Sequence, residues 1–145
     1  NKKIMNQSPF PTPNPSLYTE EEIARLVHTF YTKARKDPSL GPIFEAHVID
    51  WDAHFIQMIN FWSAQLRGTS RFRGAPMPKH IALPELTAEL FARWLQLFRQ
   101  TTEELGNPTL QQHANAIASF IATRLWQGYQ ISNYPDKQPV VLHTN

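Results

Sequence analysis

The stretch that decides the fold reads RGAPMPKHIALPELTAELFARWLQLF over residues 73–98. Pro76 and Pro78 block a long helix before His80, and Pro84 interrupts the chain again shortly after it. An aromatic-rich segment with helical spacing follows this turn. A histidine on so short an element can be directed at a group held between helices, although on position alone a surface or hydrogen-bonded histidine is the more common case.

The composition of the chain limits the classes of protein to which it can belong. With 145 residues, 41% of them hydrophobic and 12% aromatic, the chain can bury the core of one domain and is too apolar for a disordered protein. It has no cysteine, which excludes disulfides, thiolate metal sites, cysteine nucleophiles and thioether attachment of a haem. A chain without cysteine suits a reducing compartment, so we expect a cytoplasmic protein.

Charge and hydropathy argue against two further classes. The formal net charge of +2 is too small to predict nucleic-acid binding. No run of residues approaches the roughly 20 apolar positions that a membrane-spanning helix needs. Residues 1–18 lack the apolar core of a signal peptide. We therefore expect neither nucleic acid nor a membrane as a partner.

Apolar residues recur at helical spacing in four sizeable segments, and each segment has a residue that can cap its first turn. Thr19 and Glu22 form a capping box before the first segment, and Asn107 followed by Pro108 opens the last one. The predicted helices cover approximately residues 20–36, 51–67, 88–104 and 108–128. The connector at 37–50 is predicted to contain one or two short helical turns. The sequence thus predicts an all-α fold.

His54, Met58 and Phe61 form a strip beside the buried face of the second predicted helix. Taken alone, His54 is a partly exposed histidine at the margin of that face. The chain has no Glu-x-x-His pairs for a di-iron site, no glycine-rich phosphate loop and no His-Glu-x-x-His zinc motif. Helices rich in Phe and Trp around one histidine fit a haem, which needs an axial ligand, an apolar slot and cations for its carboxylates.

Several segments of the chain carry a resemblance to a known family. They are FY at 30–31, DPSLGPIF at 37–44, WDAH at 51–54, FW at 61–62, PMPKH at 76–80 and FARWL at 91–95. In their order and spacing the sequence resembles the truncated haemoglobins, specifically their third group, over residues 18–130. The resemblance implies a truncated globin-like fold, a two-over-two helical sandwich around a haem b that is bound non-covalently.

The resemblance also implies roles for individual residues. His80 matches the family's proximal ligand, which binds the iron through Nε2 while its other ring nitrogen donates to a backbone carbonyl. Tyr31, His54 and Trp94 match the polar residues on the distal side. The further residues that we predict to contact the haem are Met58, on the strip with His54, and, as partners of the haem carboxylates, Arg71, Arg73 and Lys79.

Three functions stay open on the sequence. The first is a globin that reversibly binds oxygen and other diatomic gases and releases oxygen slowly, since two donors on one ligand favour retention. The second is a haem redox enzyme, either peroxidase-like or converting nitric oxide with oxygen to nitrate, the latter with electrons from a reductase. The third is a haem-free helical interaction module. The expected haem ligands are O2, CO, NO or peroxide.

The chain is predicted to have one folded domain with an extension at each end. Prolines at alternate positions between 9 and 15 predict a flexible arm over residues 1–17. The truncated globin domain is expected over residues 18–130, with its last helix ending near Gly128. Residues 131–145 have no helical period and are predicted to form a loose tail.

Overall fold

The computed structural model describes residues 11–143, which form six helices and no strand. These are α1 (Glu20–Lys36), α2 (Gly41–His47), α3 (Trp51–Arg67), α4 (Pro76–Ile81), α5 (Ala88–Glu104) and α6 (Pro108–Asn133). The predicted all-α class is confirmed. Within the same residues, no helix combines the length and the apolarity that crossing a membrane requires.

Side-chain caps place the beginnings of the long helices where the sequence predicted them. Thr19 and Glu22 form the full capping box at α1: the Glu22 N–H donates to Thr19 Oγ1 over 3.1 Å, and the Thr19 N–H donates to Glu22 Oε1 over 3.0 Å. Asp50, Thr87 and Asn107 each accept a hydrogen bond from the backbone N–H three residues later, at the start of α3, α5 and α6. Each cap satisfies a donor that the first helical turn leaves unpaired.

Two pairs of long helices enclose the core. α1 lies against α3 and crosses α5, while α6 packs along α5 and also holds α4. Aromatic rings fill the centre, where the ring of Phe98 stacks on Trp62 at 4.9 Å and on Trp94 at 5.2 Å between centroids. The burial of these large apolar surfaces is the main driving force for the packing. The short helix α4 packs against α6, so its position depends on that helix.

A glycine allows α2 to approach the end of α1 closely. A Cβ at Gly41 would lie 2.5 Å from the Arg35 carbonyl oxygen, so any side chain there would push the two helices apart. The close approach brings the ring of Phe44, on α2, to 5.4 Å from the ring of Tyr31. α2 is the helical turn predicted within the connector at 37–50.

The last helix is longer than predicted. α6 continues past Gly128 to Asn133, so the predicted end near Gly128 is wrong. The helix tolerates this glycine because the side chain of Met77 packs beside it, where a Cβ would lie 2.5 Å from the Met77 Sδ. This packing offsets the roughly 1 kcal/mol by which glycine disfavours a helix relative to alanine.

Chain outside the long helices also contacts the core. The buried Gln130 side chain accepts a hydrogen bond from the Val140 N–H and donates one to the Val140 carbonyl, and Leu142 is buried. These contacts hold part of the C-terminal segment against α6, in contrast to the expected loose tail. At the other end, the Asn14 N–H donates to the Leu66 carbonyl over 2.8 Å. Residues 1–10 of the predicted arm lie outside the described residues, and the domain boundaries stay a prediction.

Glu20 joins the first turn of α1 to the end of α3. Its carboxylate accepts hydrogen bonds from Arg67 over 2.5 Å, from Arg71 over 2.7 Å and from the Ser63 hydroxyl over 2.7 Å. Burial acts to raise the pKa of Glu20, but the hydrogen bonds from these three donors outweigh it and lower the pKa to about 2. The ionised carboxylate is therefore the form that the fold prefers.

We expect Glu20→Gln to weaken the dependence of stability on acid. Because the folded-state pKa lies below the ordinary 4.5, the ionised side chain stabilises the fold above about pH 4.5, and this contribution is lost as the pH falls towards 2. Its size is about 1 kcal/mol or less, since the side chain is 39% exposed. Urea unfolding across this pH range measures it, with the exposed Glu21→Gln as the matched control. Equal pH dependence in the two variants would contradict the assignment.

Candidate functional site

His80 lies on α4, a single short turn, and its ring is half-buried. Pro76 begins this helix, since proline fits a first turn in which no N–H donor is needed. His80 Nδ1 lies 2.7 Å from the carbonyl oxygen of Pro76. A carbonyl can only accept, so Nδ1 carries the proton and Nε2 keeps a free lone pair, the form in which imidazole binds a metal.

Tyr31 is the polar centre of an aromatic cage built by α1, α2 and α3. The rings packed against it, at centroid distances of 5.0–5.9 Å, are those of Phe30, Phe44, Trp51, His54 and Phe55. The Tyr31 hydroxyl shares a hydrogen bond of 3.0 Å with His54 Nε2. Burial raises the pKa of Tyr31 above its ordinary value, so the phenol keeps its proton at neutral pH.

His54 is neutral where it meets Tyr31. Burial lowers the pKa of His54 below its ordinary 6.5, and the positive charge of Lys79 lowers it further. A neutral imidazole has one donor and one acceptor nitrogen, so His54 can either supply or receive a proton. Lys79 precedes His80 in the chain, so the charge that acts on His54 comes from the helix that carries His80.

Trp94 on α5 lies beside the same cage. Its indole ring stacks on Phe98 with an interplanar angle of 11° and meets the ring of Phe30 at 5.3 Å. Phe30 in turn contacts the ring of Tyr31 at 5.0 Å, so Tyr31 and Trp94 share a neighbouring ring. The indole is half-buried, and its N–H has no hydrogen-bond partner within residues 11–143. The structure thus brings Tyr31, His54 and Trp94 into one neighbourhood.

A cavity of about 330 Å³ opens between α3, α4 and α6. Its mostly apolar lining comprises Phe61, Gln65, Pro76, Met77, Phe120, Ile121, Arg124 and Leu125. Phe61 belongs to the strip with His54 and Met58 on α3, and Pro76 is the residue that fixes the His80 ring. The strip therefore leads from the Tyr31 cage to a space bounded by the helix that carries His80.

The three cations predicted for the site differ in what they bind. Arg71 is engaged by the carboxylate of Glu20 near the end of α3. The Arg73 guanidinium donates to two backbone carbonyls of its own loop. Lys79 is exposed, and its charge acts on His54. Of the three, Lys79 is therefore the one whose charge affects a ring of the Tyr31 cage.

Residues at the end of α6 hold the segment that follows His80, and the sequence analysis missed them. The Tyr129 hydroxyl accepts from the Leu86 N–H over 3.0 Å and donates to the Leu83 carbonyl over 3.1 Å. Asn133 donates over 3.2 Å to the carbonyl of the residue that follows the histidine. Tyr129 continues the apolar stripe of the last helix by one turn, and this spacing was the available signal.

Two observations test whether these residues fit an iron cofactor. Residues 11–143 contain no group of three or more His, Asp or Glu side chains that could hold a metal ion. A metal at His80 would therefore need its other ligands from a macrocycle, as the iron of a haem has. In addition, Trp126 on α6 has a buried indole N–H without a partner in the described chain, a donor that a bound group could satisfy. The residues present fit a haem.

Comparisons with known proteins identify the family. No family model matches the chain. Over 117 residues the chain is 38% identical to the group 3 truncated hemoglobin ctb of Campylobacter jejuni, a match that covers 74% of this chain and 91% of that protein. The chain belongs to the group III truncated haemoglobins. The crystal structure of a group III truncated hemoglobin from Campylobacter jejuni matches with a TM-score of 0.73 at 30% identity, covering 83% of this chain and 96% of that one.

This globin therefore has haem as its cofactor and binds oxygen and other diatomic gases at it. The predicted family, the two-over-two globin-like fold and the predicted cofactor are confirmed. Family membership also removes the haem-free interaction module from the three functions considered. The roles of individual residues are proposals that rest on the geometry described above.

We expect His80→Ala to abolish normal haem ligation, because it removes the half-buried imidazole with a free Nε2. The absorption spectrum of the ferrous protein should lose its five-coordinate, histidine-ligated form, and added imidazole should restore it. His47→Ala, at an exposed position on α2, is the control and should keep the wild-type spectrum. A wild-type ferrous spectrum in the His80 variant would show that another residue binds the iron.

Proposed function

We propose that this globin releases oxygen slowly, with His80 as the residue that would bind the haem iron and Tyr31, His54 and Trp94 as the residues that would contact the bound gas. The observation that carries the proposal is the hydrogen bond between Tyr31 and His54 inside an aromatic cage. Polar groups are costly to bury unless they are hydrogen-bonded, and here each satisfies the other. Ring contacts on several sides hold them in place, so the polar groups are positioned before a ligand enters.

Haem, when bound, would supply an iron that takes oxygen, carbon monoxide or nitric oxide. His80 would hold this iron through Nε2, because its hydrogen bond to the Pro76 carbonyl engages Nδ1 as the donor. Tyr129 restrains the segment after His80 through its two hydrogen bonds. The imidazole is thereby fixed in its tautomer and restrained in its orientation by the protein alone.

Tyr31 and Trp94 support slow release through their donor groups. The indole N–H of Trp94 can only donate. The Tyr31 hydroxyl keeps its proton because burial raises its pKa, and it can donate that proton to a ligand in the tautomer in which His54 Nε2–H donates to Tyr31. A hydrogen bond to a charged acceptor contributes about 1.5–3 kcal/mol. Since about 1.4 kcal/mol corresponds to a factor of ten, one such donor slows the loss of oxygen roughly ten- to hundredfold. Carbon monoxide is a poorer acceptor and gains far less.

Further contacts with the haem are part of the same proposal. Met58 is partly buried between His54 and Phe61 on the α3 strip and offers an adaptable apolar surface. Lys79 is the first choice for pairing with a haem carboxylate, because it adjoins His80 and its charge reaches His54. Arg73 is the second choice, since its guanidinium is bonded only to carbonyls of its own loop. Arg71 would have to give up its ion pair with Glu20 in order to bind a haem carboxylate.

A second candidate function is the turnover of peroxide, which the neutral state of His54 favours. A neutral imidazole near a reacting peroxide can accept a proton and return it, as a general acid–base catalyst does. The conversion of nitric oxide to nitrate is a variant of this candidate. It requires an electron-donating reductase as a partner.

We expect Trp94→Phe to raise the oxygen dissociation rate about tenfold or more, because phenylalanine keeps the stack on Phe98 but lacks the N–H. The carbon monoxide dissociation rate should change by less than about threefold. Stopped-flow displacement of each ligand measures both rates. Trp62→Phe, which alters the other ring that stacks on Phe98, is the control and should leave the oxygen rate near wild type. An oxygen rate in Trp94→Phe equal to that of the control would remove Trp94 from the ligand site.

We expect the reaction of the ferric protein with peroxide to slow as the pH falls, because protonated His54 can no longer act as a base. The midpoint should lie below 6.5, since burial and Lys79 lower the pKa of His54. His54→Gln should slow the reaction by roughly a hundredfold and remove this pH dependence. His143→Gln, at an exposed position, should keep the wild-type profile. The same profile in both variants would exclude His54 as the acid–base.

A further inference from the structure

Asp37 is a buried carboxylate at the end of α1 that is fully occupied by donors. Its side chain is 2% exposed. It accepts hydrogen bonds from the backbone N–H groups of Ser39 over 3.1 Å and Leu40 over 3.0 Å. The Arg93 guanidinium donates a further hydrogen bond from Nε to Asp37 Oδ1 over 2.8 Å, and its Nη2 forms an ion pair with the same oxygen at 2.6 Å; the Arg93 side chain itself is 36% exposed. Charge-assisted hydrogen bonds of this kind are stronger than hydrogen bonds between neutral groups.

The charge state of this pair follows from its surroundings. Burial acts to raise the pKa of Asp37, but the hydrogen bonds from Arg93 and from the backbone of Leu40 and Ser39 outweigh it, so the pKa lies below its ordinary value. Asp37 is therefore ionised at neutral pH. Breaking the pair would leave a buried charge without its partner, which is far more costly than losing an exposed ion pair.

The pair connects the segments that carry two of the proposed ligand donors. Asp37 follows directly on α1, the helix of Tyr31, and its backbone bonds fix the turn that leads into α2. Arg93 is the neighbour of Trp94 on α5. The ring of Phe30 contacts the rings of both donors. The ion pair thus joins the end of α1, which carries Tyr31, to α5, which carries Trp94.

We propose that Asp37 and Arg93 are positioning residues, which hold Tyr31 and Trp94 at the separation at which both donors reach one ligand. The proposal rests on the ligand-facing roles proposed above for those two residues. Neither Asp37 nor Arg93 touches the ligand. They act through the relative placement of α1 and α5, so their loss lowers the selectivity for oxygen over carbon monoxide and leaves the His80 side unchanged.

A second ion pair provides a matched control. Lys33 on α1 and Glu104 on α5 join the same two helices, with 2.5 Å between Lys33 Nζ and Glu104 Oε2. Their side chains are 29% and 52% exposed. An exposed pair contributes little because solvent screens it and both side chains lose freedom. Lys33→Gln therefore removes a link between α1 and α5 without removing a buried constraint.

The test measures oxygen and carbon monoxide dissociation rates in Arg93→Gln, Asp37→Asn and Lys33→Gln. The first two variants should release oxygen about fivefold faster or more, which corresponds to about 1 kcal/mol, with carbon monoxide rates within about twofold of wild type. Lys33→Gln should match wild type for both ligands. Asp37→Asn retains an oxygen that can accept from the backbone of residues 39 and 40, and Arg93→Lys keeps the positive charge. If Arg93→Gln does not fold, the oxygen dissociation rates of Asp37→Asn and Arg93→Lys decide whether the ion pair positions the two donors.

Two further readouts separate positioning from a general loss of stability. In the Trp94→Phe background, Arg93→Gln should add less than about twofold to the oxygen rate, because the donor that it positions is already absent. In the cofactor-free protein, the indole N–H resonance of Trp94 in a 1H–15N spectrum should shift or broaden in Arg93→Gln but not in Lys33→Gln. This readout is independent of ligand binding.

The outcomes distinguish this inference from the function on which it rests. If Trp94→Phe releases oxygen at the wild-type rate, the proposed ligand role of Trp94 fails first. If Trp94→Phe accelerates release while Arg93→Gln and Asp37→Asn do not, the positioning role is overturned and the ligand role stands. Full additivity of Arg93→Gln and Trp94→Phe would also overturn it.

Discussion

The hydrogen bond from His80 to the carbonyl of Pro76 is the constraint on which the site depends. A helix of one turn has little stability of its own, so the His80 ring is held by its own backbone and by the residues of α6 beneath it. The bond determines which ring nitrogen carries the proton and which is free. A single neutral nitrogen donor, with no carboxylate cluster beside it in the described chain, is suited to an iron that brings its other ligands with it.

The two sides of the site are held by different means. On the His80 side, backbone carbonyls and the hydroxyl of Tyr129 fix a short segment that would otherwise move. On the Tyr31 side, the polar groups stand in a cage of rings, whose edge-on contacts restrict their orientation. The ion pair of the buried Asp37 with Arg93 ties the end of α1, which carries Tyr31, to α5. The candidate site thus combines a few hydrogen bonds with a mostly apolar frame.

The sequence predicted most of the helices because their signals are local. Thr19, Asp50 and Thr87 cap helices within three residues of themselves, and the starts follow directly. The predicted end of α6 was wrong because the glycine at position 128 is compensated by Met77, a residue on another helix. The pairing of Arg71 with Glu20 is equally non-local, so a free cation was expected there. Spacing alone left the role of His80 open, and the family pattern was needed to select it.

The absent side chain at Gly128 has a consequence for how firmly the haem is kept. Because position 128 has no side chain, the thioether of Met77 packs directly against the backbone of α6. A methyl group at that point would displace the end of the Met77 side chain and so change the packing between α4 and α6. Through the role proposed for His80, this glycine therefore contributes to how firmly the haem is held.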